Sequence, residues 1–261
     1  MHPETKKTEI VRRVYDQLAS EYHLIFADWK KSVRWQGEVL DTLIRKEVGK
    51  TPLSVLDCTC GIGTQAIGLA LRGYAVIGTD SSPEAISRAT REAQAFSVSI
   101  NFGVADVRAL RKQVNGTFDM VVSCDNSLPH LLNDADLEEA AHNIRSKMRR
   151  NGLFIASIRD YDGIMKEKPK STIPQVFDNA EGKRIVFQVW DWLEDGRNYI
   201  FHLFILKDDS GDWKVSQYSA QYRALCRQEL TEILSRSGFL NIRWLMLEET
   251  GYYQPFVTAR R

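Results

Sequence analysis

The chain has 261 residues, with 35 Lys plus Arg against 34 Asp plus Glu and a formal charge of +1. A balance this close to neutral excludes a protein held to nucleic acid mainly by charge. No apolar run approaches the ~18 residues that span a membrane. The start of the chain, with Met1, His2, Lys6 and Lys7, lacks the apolar segment of a secretory signal. Cys58, Cys60, Cys124 and Cys226 form neither a CxxC pair nor a regular ladder, which speaks against structural zinc and a disulfide framework. The expectation is a cytoplasmic chain with no metal, no nucleic acid and no membrane among its partners. Its oligomeric state leaves no mark in the sequence.

In chain order, Val11, Val14, Tyr15, Leu18, Ala19 and Tyr22 put one apolar stripe on a helix over 8–24. A second helix is expected over 33–46. Val55-Leu56 is a short strand, and Ala66, Ile67, Ala70 and Leu71 then recur at helical spacing up to Gly73. Residues 75–79 read as the second strand. Ser82 and Pro83 open a helix as its cap and first residue. Strands at 100–104 and 120–123 follow, then a helix through Leu137, Ala140, Ala141, Ile144 and Met148, closed by Asn151-Gly152. A fifth strand covers 153–158. Strands and helices alternating at this pace predict βαβ units and a parallel sheet.

After about residue 160 the pattern changes. The charged, Pro-containing stretch 166–174 reads as a loop. Strand-like runs at 184–192, 198–207 and 213–223 are separated by short polar turns, which demand antiparallel neighbours. A helix over 227–237 stops at Gly238, and two strands, 240–247 and 254–259, close the chain. The division expected is a helical cap at 1–50, a core at 51–165 and 224–261, and an inserted antiparallel sheet at 166–223.

Gly61-Ile62-Gly63-Thr64-Gln65-Ala66 lies between a strand and a helix and matches GxGxxA, with Asp80 ending the next strand. Glycines there let backbone approach a ligand, and a strand-end carboxylate accepts ribose hydroxyls. NAD, FAD and S-adenosylmethionine all present such a ribose. Asp57, four residues before Gly61, suits an ammonium and repels a pyrophosphate. Asp106, after the third strand, can accept from an adenine amino group.

Asp57-Cys58-Thr59-Cys60-Gly61-Ile62-Gly63, Asp80 and Asp106 together resemble the class I S-adenosylmethionine-dependent methyltransferases. The resemblance implies a doubly wound, mostly parallel seven-stranded sheet with a small inserted antiparallel sheet. It also implies S-adenosylmethionine as donor and S-adenosylhomocysteine as product. Tyr22, Trp29, Arg34, Asp57, Thr59, Gly61, Gly63, Asp80, Ser81, Asp106, Val107 and Cys124 would then form the donor site. Arg34 is the leading partner for the methionyl carboxylate, with Arg12 and Arg13 as alternatives.

Two further segments, Cys124-Asp125-Asn126-Ser127-Leu128-Pro129-His130-Leu131 and Ile158-Arg159-Asp160-Tyr161-Asp162, resemble the glycine/sarcosine N-methyltransferases. Asp125 stands where that family has Gly, and Asp160 where it has Asn. The resemblance implies transfer of a methyl group to the nitrogen of a small amine or amino acid. Arg159 would clamp the acceptor's carboxylate, Asn126 orient its amine, His130 take a proton, and Tyr161, Trp190 and Tyr222 line its pocket. Asp160 leaves Arg159 free only if it points elsewhere. The rival readings are methyl transfer to oxygen or carbon of another small metabolite, an NAD-dependent oxidoreductase, and a non-catalytic S-adenosylmethionine-binding protein. Plainer readings weigh against several residues: Trp190 and Trp192 share a strand face as packing residues would. Arg145, Lys147, Arg149 and Arg150 complement a helix C-terminus.

Overall fold

The computed structural model describes residues 3–49 and 54–261. The boundary expected at residues 50–51 and the terminal Met1 and His2 lie outside the described residues. Helix α1 (Pro3–Leu18) leads through a 3-10 turn at Tyr22–Ile25 into α2 (Trp29–Val48). Then follow β1 (Ser54–Asp57), α3 (Thr64–Ala70), β2 (Ala75–Asp80), α4 (Pro83–Ala95), β3 (Asn101–Val104) and α5 (Leu110–Gln113). Next come β4 (Phe118–Ser123), α6 (Asp134–Lys147), β5 (Met148–Ser157) and α7 (Tyr161–Glu167). Four strands form the insertion: β6 (Gln175–Asn179), β7 (Gly182–Trp192), β8 (Asn198–Asp209) and β9 (Asp212–Arg223). The chain closes with α8 (Arg227–Arg236), β10 (Leu240–Leu245), α9 (Leu247–Thr250) and β11 (Phe256–Arg260).

The large sheet has the order β10-β11-β5-β4-β1-β2-β3. Only β11 runs antiparallel to its neighbours. Val55, Leu56, Val121, Val122, Phe154 and Ile155 are fully buried, as strands covered on both faces require. This is the doubly wound sheet that the alternating pattern implies. The second sheet, β6-β7-β8-β9, is antiparallel throughout. One of its two-residue corners, Ser210-Gly211, has φ of 56° and 99°, the positive values that such a hairpin favours.

The structure departs from the sequence reading in several places. The first helix ends at Leu18, and Tyr22 sits in the separate 3-10 turn. The second starts earlier, at Trp29, because Asp28 caps it by accepting from the Lys31 N–H. Asn151-Gly152 does not close α6. Strand β5 already begins at Met148, and a register shift against β4 absorbs the extra residues, with Asn151 at φ 61°. Helix α7, capped by Asp160, overlaps the expected loop 166–174 only at its last two residues, and a fourth strand, β6, follows that loop. Strand β10 stops at Leu245, and α9 occupies 247–250.

Three contacts fix the caps over the large sheet. Asp16 on α1 accepts from the Ser82 hydroxyl at 2.6 Å, at the N-terminus of α4. The Arg184 guanidinium on β7 is 1 % exposed and donates to the carbonyls of Leu24 (2.9 Å) and Phe26 (2.7 Å) and to Asn179 Oδ1 (3.1 Å). It thereby joins the inserted sheet to the segment between α1 and α2. Helix α2 lies against α3 at a pair of glycines. A Cβ on Gly37 would stand 2.4 Å from the Gly68 carbonyl oxygen, and one on Gly68 would stand 2.6 Å from the Val33 carbonyl oxygen. Both obstacles are backbone, so neither can swing aside. Gly68→Ala is expected to destabilise the fold by about 1–3 kcal/mol or more, the range for overpacking a close contact. Chemical denaturation of the variant against wild type, with an unchanged slope, measures it.

Candidate active site

Strand β1 delivers Asp57 to the carboxyl edge of the sheet, and the chain turns through Gly61 (φ 53°) and Gly63 (φ 94°) into α3. Both values belong to the left-handed region that glycine enters without strain. Asp80, at the end of β2, braces this loop. Its Oδ2 accepts from the Gly61 N–H and its Oδ1 from the Ser82 N–H, both at 2.9 Å. Burial raises the Asp80 carboxyl above its ordinary range, against the lowering by those amides. Asp57 is 1 % exposed and its Oδ2 has no hydrogen-bond partner among the described residues. Burial pushes its pKa up to about 8.

A pocket opens beside the loop. Of the residues expected in a donor site, Tyr22, Thr59, Gly61, Asp80, Ser81, Asp106 and Val107 line it. The others lie elsewhere. Asp57, Gly63 and Cys124, next to lining residues in the chain, are not themselves among them. Trp29 is buried and donates to Thr64 Oγ1 at 2.9 Å, which helps seat α2 on α3. Arg34, expected at the methionyl carboxylate, has its guanidinium 5.4 Å over the Phe96 ring and is not among the residues that line the pocket. Asp106 reaches the pocket, but both its oxygens already accept from Arg108, at 3.1 and 2.7 Å, and this guanidinium depresses its pKa against burial.

These residues fit S-adenosylmethionine. An orphaned, buried carboxylate oxygen such as Asp57 Oδ2 calls for a donor, and the molecule brings an ammonium. Asp80 retains lone pairs for ribose hydroxyls beyond the two amides it accepts from.

Next to this pocket the structure assembles a second group. Arg159 follows β5 and donates to the Tyr199 hydroxyl at 3.0 Å and to Gln188 Oε1 at 3.1 Å. Its guanidinium lies 5.1 Å from the Trp190 ring and 5.3 Å from the Tyr222 ring. Asn126 is 2 % exposed, with its Oδ1 accepting from the Arg159 N–H at 3.0 Å and its Nδ2 donating to the Tyr161 hydroxyl at 2.9 Å. Asn126, Arg159, Tyr161, Trp190 and Tyr222 are thus brought together. Asp160 points away and pairs with Arg227 at 2.9 Å. Tyr15, Gln188 and Tyr199 belong to the same cluster and were missed. Sequence periodicity placed them on a helix or strand but carried no sign of a polar partner.

His130 lines the pocket, yet both ring nitrogens are engaged. Tyr15 donates its hydroxyl to Nε2 at 2.8 Å, and Nδ1 donates to the Gln221 carbonyl at 3.2 Å. Burial depresses its pKa to about 3. A ring so placed is neutral, with both nitrogens occupied by protein partners. Among the described residues no group of His, Cys, Asp and Glu is arranged to hold a metal ion, and no helix is long and apolar enough to cross a membrane.

Residues 55–152 match the methyltransferase domain family. The chain is similar to the glycine/sarcosine N-methyltransferase of Parasynechococcus marenigrum, at 29 % identity over 161 residues. That match covers 59 % of this chain and 56 % of the relative, so the chain spans little more than half the relative's length. Among solved structures, an S-adenosylmethionine-dependent methyltransferase from Clostridium acetobutylicum superposes with a TM-score of 0.72 at 17 % identity, covering 94 % of this chain and 97 % of the other. An amino pentose methyltransferase from Micromonospora echinaspora, with S-adenosylmethionine bound, gives 0.70 at 16 % identity, covering 88 % and 92 %. The fold is that of the S-adenosylmethionine-dependent methyltransferases.

The His130 geometry has a pH signature. In the unfolded chain the ring titrates near its ordinary value, about 6.5, whereas folded it stays neutral down to about 3. Below the unfolded value the unfolded state therefore binds the extra proton, and stability falls as pH drops through that window. His130→Gln removes this dependence. Calorimetric melting at pH 7, 5.5 and 4.5 should show a shallower loss in the variant; equal slopes would contradict a buried neutral ring.

Proposed function

We propose that this chain, built on a methyltransferase domain and fold, moves the methyl group of S-adenosylmethionine to the nitrogen of a small amine or amino acid, with a glycine- or sarcosine-like acceptor. The donor supplies a methyl already activated on a sulfonium. The residues of the chain then position the acceptor, keep its nitrogen aligned and exclude water.

The observation that carries this reading is the state of Arg159. Its fork meets a hydroxyl, an amide oxygen and two aromatic faces. Asp160, the carboxylate next to it in sequence, is committed to Arg227. A guanidinium offers five donors in a planar fork and matches a carboxylate in bidentate fashion. Held by neutral partners, it keeps its charge for a ligand. Asn126 and Tyr161 fix the backbone and rings around it, so Asn126 serves as a positioning residue. A second reading is an amino sugar as acceptor. Its support is the amino pentose methyltransferase, whose likeness runs over 88 % of this chain while the glycine/sarcosine relative's match stops at 59 %.

Turnover to S-adenosylhomocysteine with glycine, sarcosine, ethanolamine and an amino pentose separates the two. The amino acids are expected to be the better substrates. Arg159→Lys keeps the charge and loses the fork. For an amino-acid acceptor kcat/KM should fall by about 1.5–3 kcal/mol, the value of a charged hydrogen bond, while S-adenosylhomocysteine affinity hardly moves. A carboxylate-free amine as the best wild-type substrate, or an equal loss of donor affinity, would overturn the clamp.

A further inference from the structure

Four carboxylates stand at the carboxyl ends of four neighbouring strands, one per strand. Asp106 follows β3, Asp80 ends β2, Asp57 ends β1 and Asp125 follows β4, and the sheet places these strands side by side in that order. The first three occupy the positions already read as the donor site. Asp125 extends the row by one strand, at the end where the methionyl part of a donor lying along the row must finish.

Asp125 is shaped for this place. It and Asn126 both hold left-handed backbone, with φ of 58° and 65°. Such residues mark functional sites more often than chance. Ser157 on β5 stabilises the turn, its Oγ accepting from the Asp125 N–H at 2.9 Å and its carbonyl from the Asn126 N–H at 3.0 Å. The turn puts Asp125 in the pocket lining beside Gln65 and Thr64 of α3. Gln65 donates to Oδ2 at 3.0 Å, and the hydroxyls of Tyr252 and Tyr253 donate to Oδ1. Every one of these donors is neutral. Beneath, Asp57 keeps an unpartnered oxygen, and the two strand ends are tied by a 2.9 Å bond between Thr59 Oγ1 and Ser123 Oγ. These two buried carboxyl groups on paired strands accept hydrogen bonds from neutral donors alone, Arg159 acting on Asp125 only through space, so neither has the hydrogen-bonded cation that a buried charge calls for.

We infer that Asp125 is a second carboxylate for the primary ammonium of the donor, sharing with Asp57 a group whose three N–H donors serve both. The inference rests on the donor-site reading above and deepens it.

Calorimetric titration tests it with no acceptor present. The probes are S-adenosylhomocysteine, its analogue lacking the amino group, and 5′-methylthioadenosine, which lacks the whole amino-acid moiety. Asp125→Asn and Asp125→Gly both tolerate the left-handed backbone, so one variant covers for the other. Each should weaken S-adenosylhomocysteine about tenfold or more, the loss of a charged hydrogen bond, and leave the two truncated probes within about twofold of wild type. Unchanged S-adenosylhomocysteine affinity in a folded variant would overturn the assignment, with a raised acceptor KM then placing Asp125 on the acceptor side. An equal loss for 5′-methylthioadenosine would also overturn it, as an effect of pocket shape. Should wild type bind none of the three probes, it is the donor-site reading that fails instead.

Discussion

Around Arg159 a positive charge is held by neutral groups, and much of the acceptor side follows from that constraint. A guanidinium cannot shed its proton at any ordinary pH, so the chain must surround it with oxygens and ring faces rather than neutralise it. Gln188 and Trp190 come from β7, Tyr199 from β8 and Tyr222 from β9. The inserted sheet thus supplies the wall, while β4 and β5 of the large sheet supply Asn126 and Arg159 at its foot. Removing the insertion would leave the cation facing water, where a carboxylate ligand gains little from it.

On the other flank the charges are negative and fall along the strand ends. Burial raises the carboxyl groups of Asp57, Asp80 and Asp125 above their usual range. Asp106, paired to Arg108, moves the other way. Acidic side chains thus stand along the strand ends and the Arg159 cation beside them, a polarity that suits the donor and acceptor proposed above.

The parallel sheet was legible because its strands are short apolar runs bounded by strong punctuation: Gly61-Ile62-Gly63, Gly73, Ser82-Pro83. Asp57, Asp80 and Asp106 stood out for the same reason, since each sits at or just after the end of such a run. What escaped depends on tertiary partners. Strand β6, Gln175–Asn179, is mostly exposed and earns its pairing from β7 alone. Helix α7 hangs on the Asp160 cap. Arg34 sits on a helix whose register turns it to Phe96 rather than the pocket. The neutrality of His130 is invisible to composition, because it follows from Tyr15, over a hundred residues away in the chain, and from a backbone carbonyl of β9. Tyr199 and Gln188 look like ordinary strand residues until the register sets them against Arg159.

The bonds of Arg184 reach further than local packing. Through them β7, which carries Gln188 and Trp190, is fastened to Leu24 and Phe26, a few residues from Tyr22 in the pocket lining. Glu21 adds a second tie, taking the Tyr218 hydroxyl of β9 at 2.9 Å and the ammonium of Lys207 on β8. The Tyr22 turn, a roof over the pocket, and the wall around Arg159 are consequently one mechanical piece. Lifting the roof moves the wall or strips a buried guanidinium of its carbonyls, at the cost of several charge-assisted bonds. A shift of the turn that carries Tyr22 is therefore coupled to a shift of Gln188 and Trp190 beside Arg159, so the two halves of the site are not set independently.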